Sequence, residues 1–225
     1  MESRSIALDG PGGAGKSTLA RRAAGHFKMI YVDTGALYRC IALYVISKGF
    51  STTDLERVSS LLPEIDLEMK YDDDANQRMF ICGEDVTDDI RTPEVSMGAS
   101  NVSALPPVRQ FLLSMQREMA DKYDVIMDGR DIGTVVLPNA GLKVYLTADS
   151  DVRSKRRYLE LTQKNIVTTL ADVSNEMVLR DTNDSERELA PLKPSDDSVI
   201  LDTTNLDLDE SFSALCKLIA ERFHS

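Results

Sequence analysis

Gly10, Pro11, Gly12, Gly13, Ala14, Gly15, Lys16 and Ser17 run consecutively and fit the pattern G-x-x-x-x-G-K-[ST]. Glycines in such a turn let successive backbone N–H groups converge on an anion. The lysine reaches the outer phosphates of a nucleoside triphosphate, and the Ser17 hydroxyl faces a magnesium ion. Thr18 carries the loop into a helix whose positive dipole end points at the same anion. The bland alternative is a chance match. A buried run before the loop, Ile6 to Leu8, and an amphipathic one after it, Leu19, Ala20, Ala23 and Phe27, argue against chance.

Such loops serve switch GTPases, mechanical ATPases and small-molecule kinases. The first class carries a guanine-reading N-K-x-D segment, and Asn205–Leu206–Asp207–Leu208 lacks the lysine. A kinase needs a second phosphate pocket and a mobile basic lid, and the arginines are spaced to supply both. Arg39 lies one helical turn past Asp33–Thr34, where a guanidinium can hold an acceptor phosphate bidentately. Asp128–Gly129–Arg130–Asp131 ends the strongest buried run, Val125 to Met127. Arg153 and Arg157 stand i, i+4, and Arg180, Asp184 and Arg187 form another same-face set. Read singly, Arg39 and the 153–157 run are solvated helix faces. Opposite a phosphate loop they become a clamp.

Several alternating strand–turn–helix units position these residues, which implies a parallel sheet flanked by helices. Ligands in such folds bind beyond the carboxyl ends of the strands. The relevant ends are Leu8, Val32, Met127 and Leu146. Ser3 to Asp9 reads as the first strand and Gly15 to Phe27 as the first helix. Asp33–Thr34 caps a second helix through Leu37, Tyr38, Ile41, Val45 and Ile46. Ile65, Leu67, Met69 and Tyr71 alternate with polar residues, a polar turn occupies 72–76, and strands follow at Met79 to Cys82 and near Val86. This predicts a small antiparallel insertion. Val108, Phe111, Leu112, Met115 and Met119 keep helical spacing, and Leu142 to Leu146 and Val199 to Leu201 read as strands. Asp149 is expected to cap a basic helix, and a polar helical stretch runs to about Arg187. Asp207 and Glu210 form a capping box before Phe212, Leu215, Cys216 and Ile219.

The 225 residues suit one domain with small insertions. A net charge of −11 disfavours broad electrostatic binding of nucleic acid polymers but permits local basic clusters. No apolar run approaches the roughly 18 residues that span a bilayer. Met1–Glu2–Ser3–Arg4–Ser5 lacks the apolar stretch of a signal peptide. A cytoplasmic monomer, without a membrane partner, is expected. Cys40, Cys82 and Cys216 are scattered, which argues for reduced thiols in or near the core.

Five segments resemble the bacterial-type cytidylate kinases among the nucleoside monophosphate kinases. They are 9–18, 33–39, 83–95 (GEDVTDDIRTPEV), 128–136 (DGRDIGTVV) and 190–192. The loop at 9–18 is generic, whereas 83–95 and 128–136 are specific. The resemblance implies a core at 1–33, 106–150 and 190–225, a monophosphate-binding insertion at 34–105 and a lid at 151–189. It implies ATP, Mg²⁺ and the acceptors CMP and dCMP. It places Thr34, Tyr38, Arg39, Asp128 and Arg130 near the acceptor, the phosphate above all. Ser100, Arg109 and Asp131 fall near cytosine, Arg180 and Asp184 near the ribose, and Arg187 near the phosphates. Gly12 and Thr34 stand where many relatives carry serine.

The acceptor so implied is an already ionised phosphate oxygen, which needs no general base. His26 and His224 lie at helix ends and are expected at the surface. Catalysis should come from positioning two anions and neutralising charge with Lys16, Mg²⁺, Arg130, Arg153 and Arg157. Asp131 or Ser100, with Arg109, would favour cytosine over uracil. A kinase for UMP, AMP or a hydroxyl acceptor stays open, with Asp33 or Asp131 as base. So does a nucleotide-dependent switch; a dead scaffold fits poorly with Lys16, Arg39, Arg130 and Arg157 in place.

Overall fold

The computed structural model describes residues 4–74 and 76–223. The sequence expectations at Ser3, Ala75 and His224 lie outside the described residues. Five parallel strands form the central sheet: β1 (Ser5–Asp9), β2 (Ile30–Asp33), β6 (Val125–Gly129), β7 (Leu142–Thr147) and β8 (Val199–Asp202). Their spatial order is β2-β6-β1-β7-β8. Register puts Asp9 beside Gly129 and Asp33 beside Asp128, so the carboxyl ends form one shelf.

Helices α1 (Lys16–Phe27) and α8 (Leu208–Phe223) cover one sheet face, with Leu19, Ala23, Leu215 and Ile219 packed on Ile6, Leu8, Ile126 and Val144. Ala7, Val32 and Met127 point to the other face, where Ala120 of α5 (Pro106–Lys122) packs with Ile132 and Val136 of a π-helical turn, Ile132–Val136. This alternation is what a parallel strand buried on both faces requires.

Between β2 and α5 the chain forms α2 (Thr34–Ser47), α3 (Leu55–Leu61), the strands β3 (Leu67–Tyr71), β4 (Gln77–Ile81) and β5 (Glu84–Asp85), and α4 (Pro93–Ser103). The strands make a separate antiparallel sheet, β3-β4-β5. This insertion has a core of Leu37, Ile41, Val58, Met79, Ile90 and Val102 that packs on Leu112 of α5. A last pair, α6 (Ser150–Gln163) and α7 (Leu170–Glu186), leans together on Leu161, Val173 and Met177.

The expected fold class holds: a parallel sheet between helices, an antiparallel insertion and a helical lid pair. Several local expectations do not. Helices α3 and α4 went unread because Leu55–Leu61 is short and Pro93–Ser103 is rich in small residues. Both rest on caps: Asp54 accepts from Arg57 N, and Thr92 from Val95 N with Pro93 at the first position. Asp149 stands at the start of α6, yet its side chain makes no capping bond. Cys82 is exposed, in a left-handed conformation at φ 51°, rather than in the core. The Asp207–Glu210 capping box forms as expected, each side chain accepting from the other's backbone N–H.

Candidate active site

The strand ends open into a cleft of about 1270 Å³, lined by the glycine-rich loop, the turn after β6, the insertion and the lid pair. In the glycine-rich loop, Gly10 and Gly13 are sterically required. A Cβ on Gly10 would stand 2.0 Å from Leu146 O, and one on Gly13, at φ +70°, would meet Arg153 O and Met177 Cε at 2.9 Å. Gly12 is different: its nearest neighbour would be Arg130 Nη2 at 3.9 Å, so the loop tolerates a serine there. Lys16 is buried and donates to Pro11 O at 2.7 Å. Burial, then the Arg130 charge, pushes its pKa down to about 7 against the pull of Asp128 and Asp9. A cation so depressed is one that an incoming phosphate restores.

Ser17 Oγ donates to Asp128 Oδ2 at 2.8 Å, and Tyr31 OH to Asp128 Oδ1 at 3.1 Å. Burial and the neighbouring Asp33 push Asp128 up to about 6. Thr34 Oγ1 donates to Asp128 O at 2.8 Å, which ties the second helix to the same strand end.

Beyond Asp128 the cations crowd. Arg39 Nη2 pairs with Asp33 Oδ2 at 2.7 Å. Arg130 Nε pairs with Asp184 Oδ2 at 2.9 Å. Arg180 is pulled down to about 10, first by burial and then by the Arg130 charge, with Arg39 and Arg157 adding to it against Asp184. The Nε atoms of Arg39 and Arg180 are buried and have no hydrogen-bond partner among the described residues. Arg39, Arg130, Arg157 and Arg180 all line this cleft and three of them lower the fourth's pKa, a crowding of like charge that an anion relieves.

The far end is a carboxylate–guanidinium lattice. Asp131 is buried and paired with both Arg109 and Arg187, the latter at 3.4 Å. Arg187 also donates to Ser103 Oγ at 3.0 Å. Ser100 Oγ donates to Asp184 Oδ1 at 3.0 Å, and the Arg109 guanidinium lies 5.9 Å from the Tyr38 ring centre.

The sequence-named residues thus converge, with differences in detail. Gly12 to Thr18, Thr34, Tyr38, Arg39, Ser100, Asp128, Arg130, Asp131, Arg157, Arg180, Asp184 and Arg187 line the cleft. Gly10, Pro11, Arg109 and Arg153 stand behind its wall. Arg153, expected beside Arg157 as a clamp, donates to Ala148 O, Gly12 O and Asp181 Oδ2, bracing the loop from outside. Arg187, expected near the phosphates, sits with Asp131 instead.

Sequence reasoning missed Asp9, whose two carboxylate oxygens accept from Ile132 N and Gly133 N at 2.8 Å and so fix the turn carrying Arg130 and Asp131. It also missed Gln77, which brackets the main chain of Asp33: Oε1 accepts from Asp33 N at 2.8 Å and Nε2 donates to Asp33 O at 3.2 Å. Asp9 precedes the loop and carried a positional signal. Gln77 carried none.

The family described as cytidylate kinase matches residues 6–221. A cytidylate kinase of Caldicellulosiruptor bescii is 45% identical over 218 residues, covering 97% of this chain and 96% of its own. One from Lactobacillus johnsonii is 43% identical over 217 residues, covering 96% and 94%. Among solved structures, an uncharacterized protein from Eubacterium ventriosum superposes with a TM-score of 0.54 at 12% identity, covering 98% of this chain and 100% of that one, a likeness of fold alone.

Proposed function

The chain belongs to the cytidylate kinase family, and from that premise we propose that it transfers the γ-phosphoryl group of ATP to CMP and dCMP, yielding ADP with CDP or dCDP. The observation that carries this reading is the crowding of the Arg39, Arg130, Arg157 and Arg180 guanidiniums in one cleft, between a phosphate loop and a carboxylate–guanidinium lattice. One anion binds at Gly12–Lys16. A second binds among Arg39, Arg130 and Arg180, and Arg157 from the lid serves the phosphoryl group between them.

The cleft continues past Thr18 to Thr203, Leu206 and Asp207, leaving room for the nucleoside of ATP. The Ser17 hydroxyl, with Asp128 behind it, fits a magnesium ion that keeps several waters and binds chiefly through phosphate oxygens. When bound, the ion neutralises charge on the transferring group.

Transfer then needs positioning and charge neutralisation more than proton chemistry. Lys16 and Arg130 lie where charge spreads in the transition state. The rival with a hydroxyl acceptor calls for a general base. Burial alone would raise Asp33, but Arg39 and Arg91 outweigh it and hold it at about 2, which makes it a poor base. Asp131 is likewise committed to two guanidiniums.

For the base, the Asp131 carboxylate and the Ser100 lone pairs accept from the N4 amine of cytosine, and Arg187 supplies donors toward N3 and O2, with Arg109 holding Asp131 from behind the wall. Uracil inverts that polarity and leaves buried groups wrongly paired, at about 1–3 kcal/mol. The chain divides functionally into core, insertion 34–105 and lid 151–189. Movement of the lid's two helices toward the cleft excludes water and protects ATP from hydrolysis.

Among the described residues no helix is long and apolar enough to cross a membrane. One chain supplies both ends of the cleft, so a monomer acting in the cytoplasm completes the reading. Chromatography of products from ATP and CMP tests it: CDP and ADP should appear in equal amounts. ADP released without CDP would overturn the assignment.

A further inference from the structure

The segment 83–95 has entered the site so far only through Arg91, which helps hold Asp33 ionised. Its structure converges on one side chain. Gly83 turns between β4 and β5 at φ +83°. Asp85 accepts from Thr87 N at 3.0 Å and pairs with Arg78 at 2.6 Å, fixing the strand end. Thr87 Oγ1 accepts from Met79 N at 2.9 Å. Ile90 is fully buried in the insertion core, and Thr92–Pro93 starts α4. Arg91 lies between that buried anchor and that cap, in a short helical turn, Asp89–Arg91, whose direction is therefore set on both sides.

Arg91 faces the cleft. Its Nη1 donates to Asp33 Oδ2 at 2.9 Å, the same oxygen that accepts from Arg39 Nη2 at 2.7 Å. Asp33 itself is fixed: its Oδ1 accepts from Ala36 N at 3.0 Å, and Gln77 holds its main chain on both sides. Tyr71 OH donates to Tyr31 O at 2.8 Å, docking the hairpin on the same edge strand. The carboxylate it pairs with and the charges that weigh most on it, Asp33 and then Tyr31 and Asp128, are those around the end of β2 and Ser17. One carboxylate offsets only one of two guanidiniums, so the Asp33 cluster carries a net positive charge. No protein group takes Nε or Nη2 of Arg91 among the described residues.

We propose that Arg91 is a further guanidinium for the acceptor phosphate, standing beside Arg39 on the shared Asp33 anchor, and that the antiparallel insertion serves to deliver it. The inference rests on the reading of CMP as acceptor. A phosphate monoester placed between the two arginines takes donors from both, while Asp33 keeps them apart and oriented. Specificity follows for the phosphate, not for the base, since Arg91 is paired with Asp33 beside Arg39, whereas Asp131 is paired with Arg109 and Arg187.

Protein-detected NMR titration with CMP and with cytidine, on the wild type and on Arg91→Ala and Arg91→Lys, tests this and reads affinities into the millimolar range. Thermal melting checks that each variant is folded. Arg91→Ala should weaken CMP roughly tenfold or more and leave cytidine within about twofold. Arg91→Lys, a point charge without the fork, should fall between wild type and Ala. Equal loss of CMP and cytidine would show that Arg91 only props the insertion, and unchanged CMP affinity would show that it touches no phosphate; either overturns the proposal. A wild type that binds no CMP would overturn the acceptor reading itself, a result separable from both.

Discussion

At the donor end of the cleft, residues 10–18 are contiguous, and the main chain of one turn does most of the shaping. At the acceptor end, Arg39, Arg91, Arg130 and Arg180 come from α2, the insertion, the turn after β6 and α7. Carboxylates organise that end: Asp33 holds Arg39 and Arg91, Asp131 holds Arg109 and Arg187, and Asp184 holds Arg130. A backbone cradle suits a ligand part shared by every triphosphate. A lattice of side chains suits one acceptor among similar ones, because each wrongly paired group is penalised. On the proposed reading, the donor end sets whether transfer occurs, and the acceptor end sets to what.

Substitutions separate the two ends. The largest effect should come from Lys16→Ala, which removes the buried cation of the cradle. Turnover should fall by about a hundredfold or more with every acceptor, while circular dichroism and melting stay near wild type. Asp131→Ala comes next and acts on choice. It frees Arg109 and Arg187, so kcat/KM for CMP should drop while the CMP-over-UMP ratio falls roughly tenfold; parallel losses for both acceptors would break the division.

Gln77→Leu strips the Asp33 main chain of both partners. Stability should fall by about 1–3 kcal/mol, and KM for CMP should rise while KM for ATP holds. Urea melts and steady-state kinetics read the two effects.

A pH-dependent effect of similar size belongs to Asp9, which joins the two ends. Burial raises it to about 6 against the pull of the Gly133 and Ile132 amides. A raised carboxylate binds protons more readily when folded. Its contribution is fully present below the unfolded value near 3.8 and fades as pH rises through about 6. Asp9→Asn should therefore cost more stability at acid than at neutral pH, by up to about 3 kcal/mol. Melting curves across that range check the sign. Least of all, Gly12→Ser should leave kcat within about twofold, since only Arg130 Nη2 approaches that position.

The same asymmetry decided what the sequence made legible. A cradle written in consecutive residues is read directly, as are β1, β6 and α1, whose periodicities are strong. The strand-end rule then found Asp33, Asp128 and Arg130 without any alignment. The lattice was harder, because nothing local pairs Ser100 with Asp184 or Arg187 with Ser103 across 84 positions. Arg153 misled for a related reason. Its i, i+4 relation to Arg157 was correct, but its guanidinium is taken by Ala148 O, Gly12 O and Asp181 rather than standing free beside Arg157. Arg91 was visible only as part of a distinctive string, until Ile90 and the Thr92 cap showed which way it points.

An acceptor panel tests the account most directly. Initial rates of ADP release from ATP, measured with CMP, dCMP, UMP, AMP and a hydroxyl acceptor, give kcat/KM for each. CMP and dCMP should lead UMP by roughly tenfold or more, with the hydroxyl acceptor at the background of ATP hydrolysis. Equal rates with CMP and UMP, or ADP release indifferent to any acceptor, would contradict it.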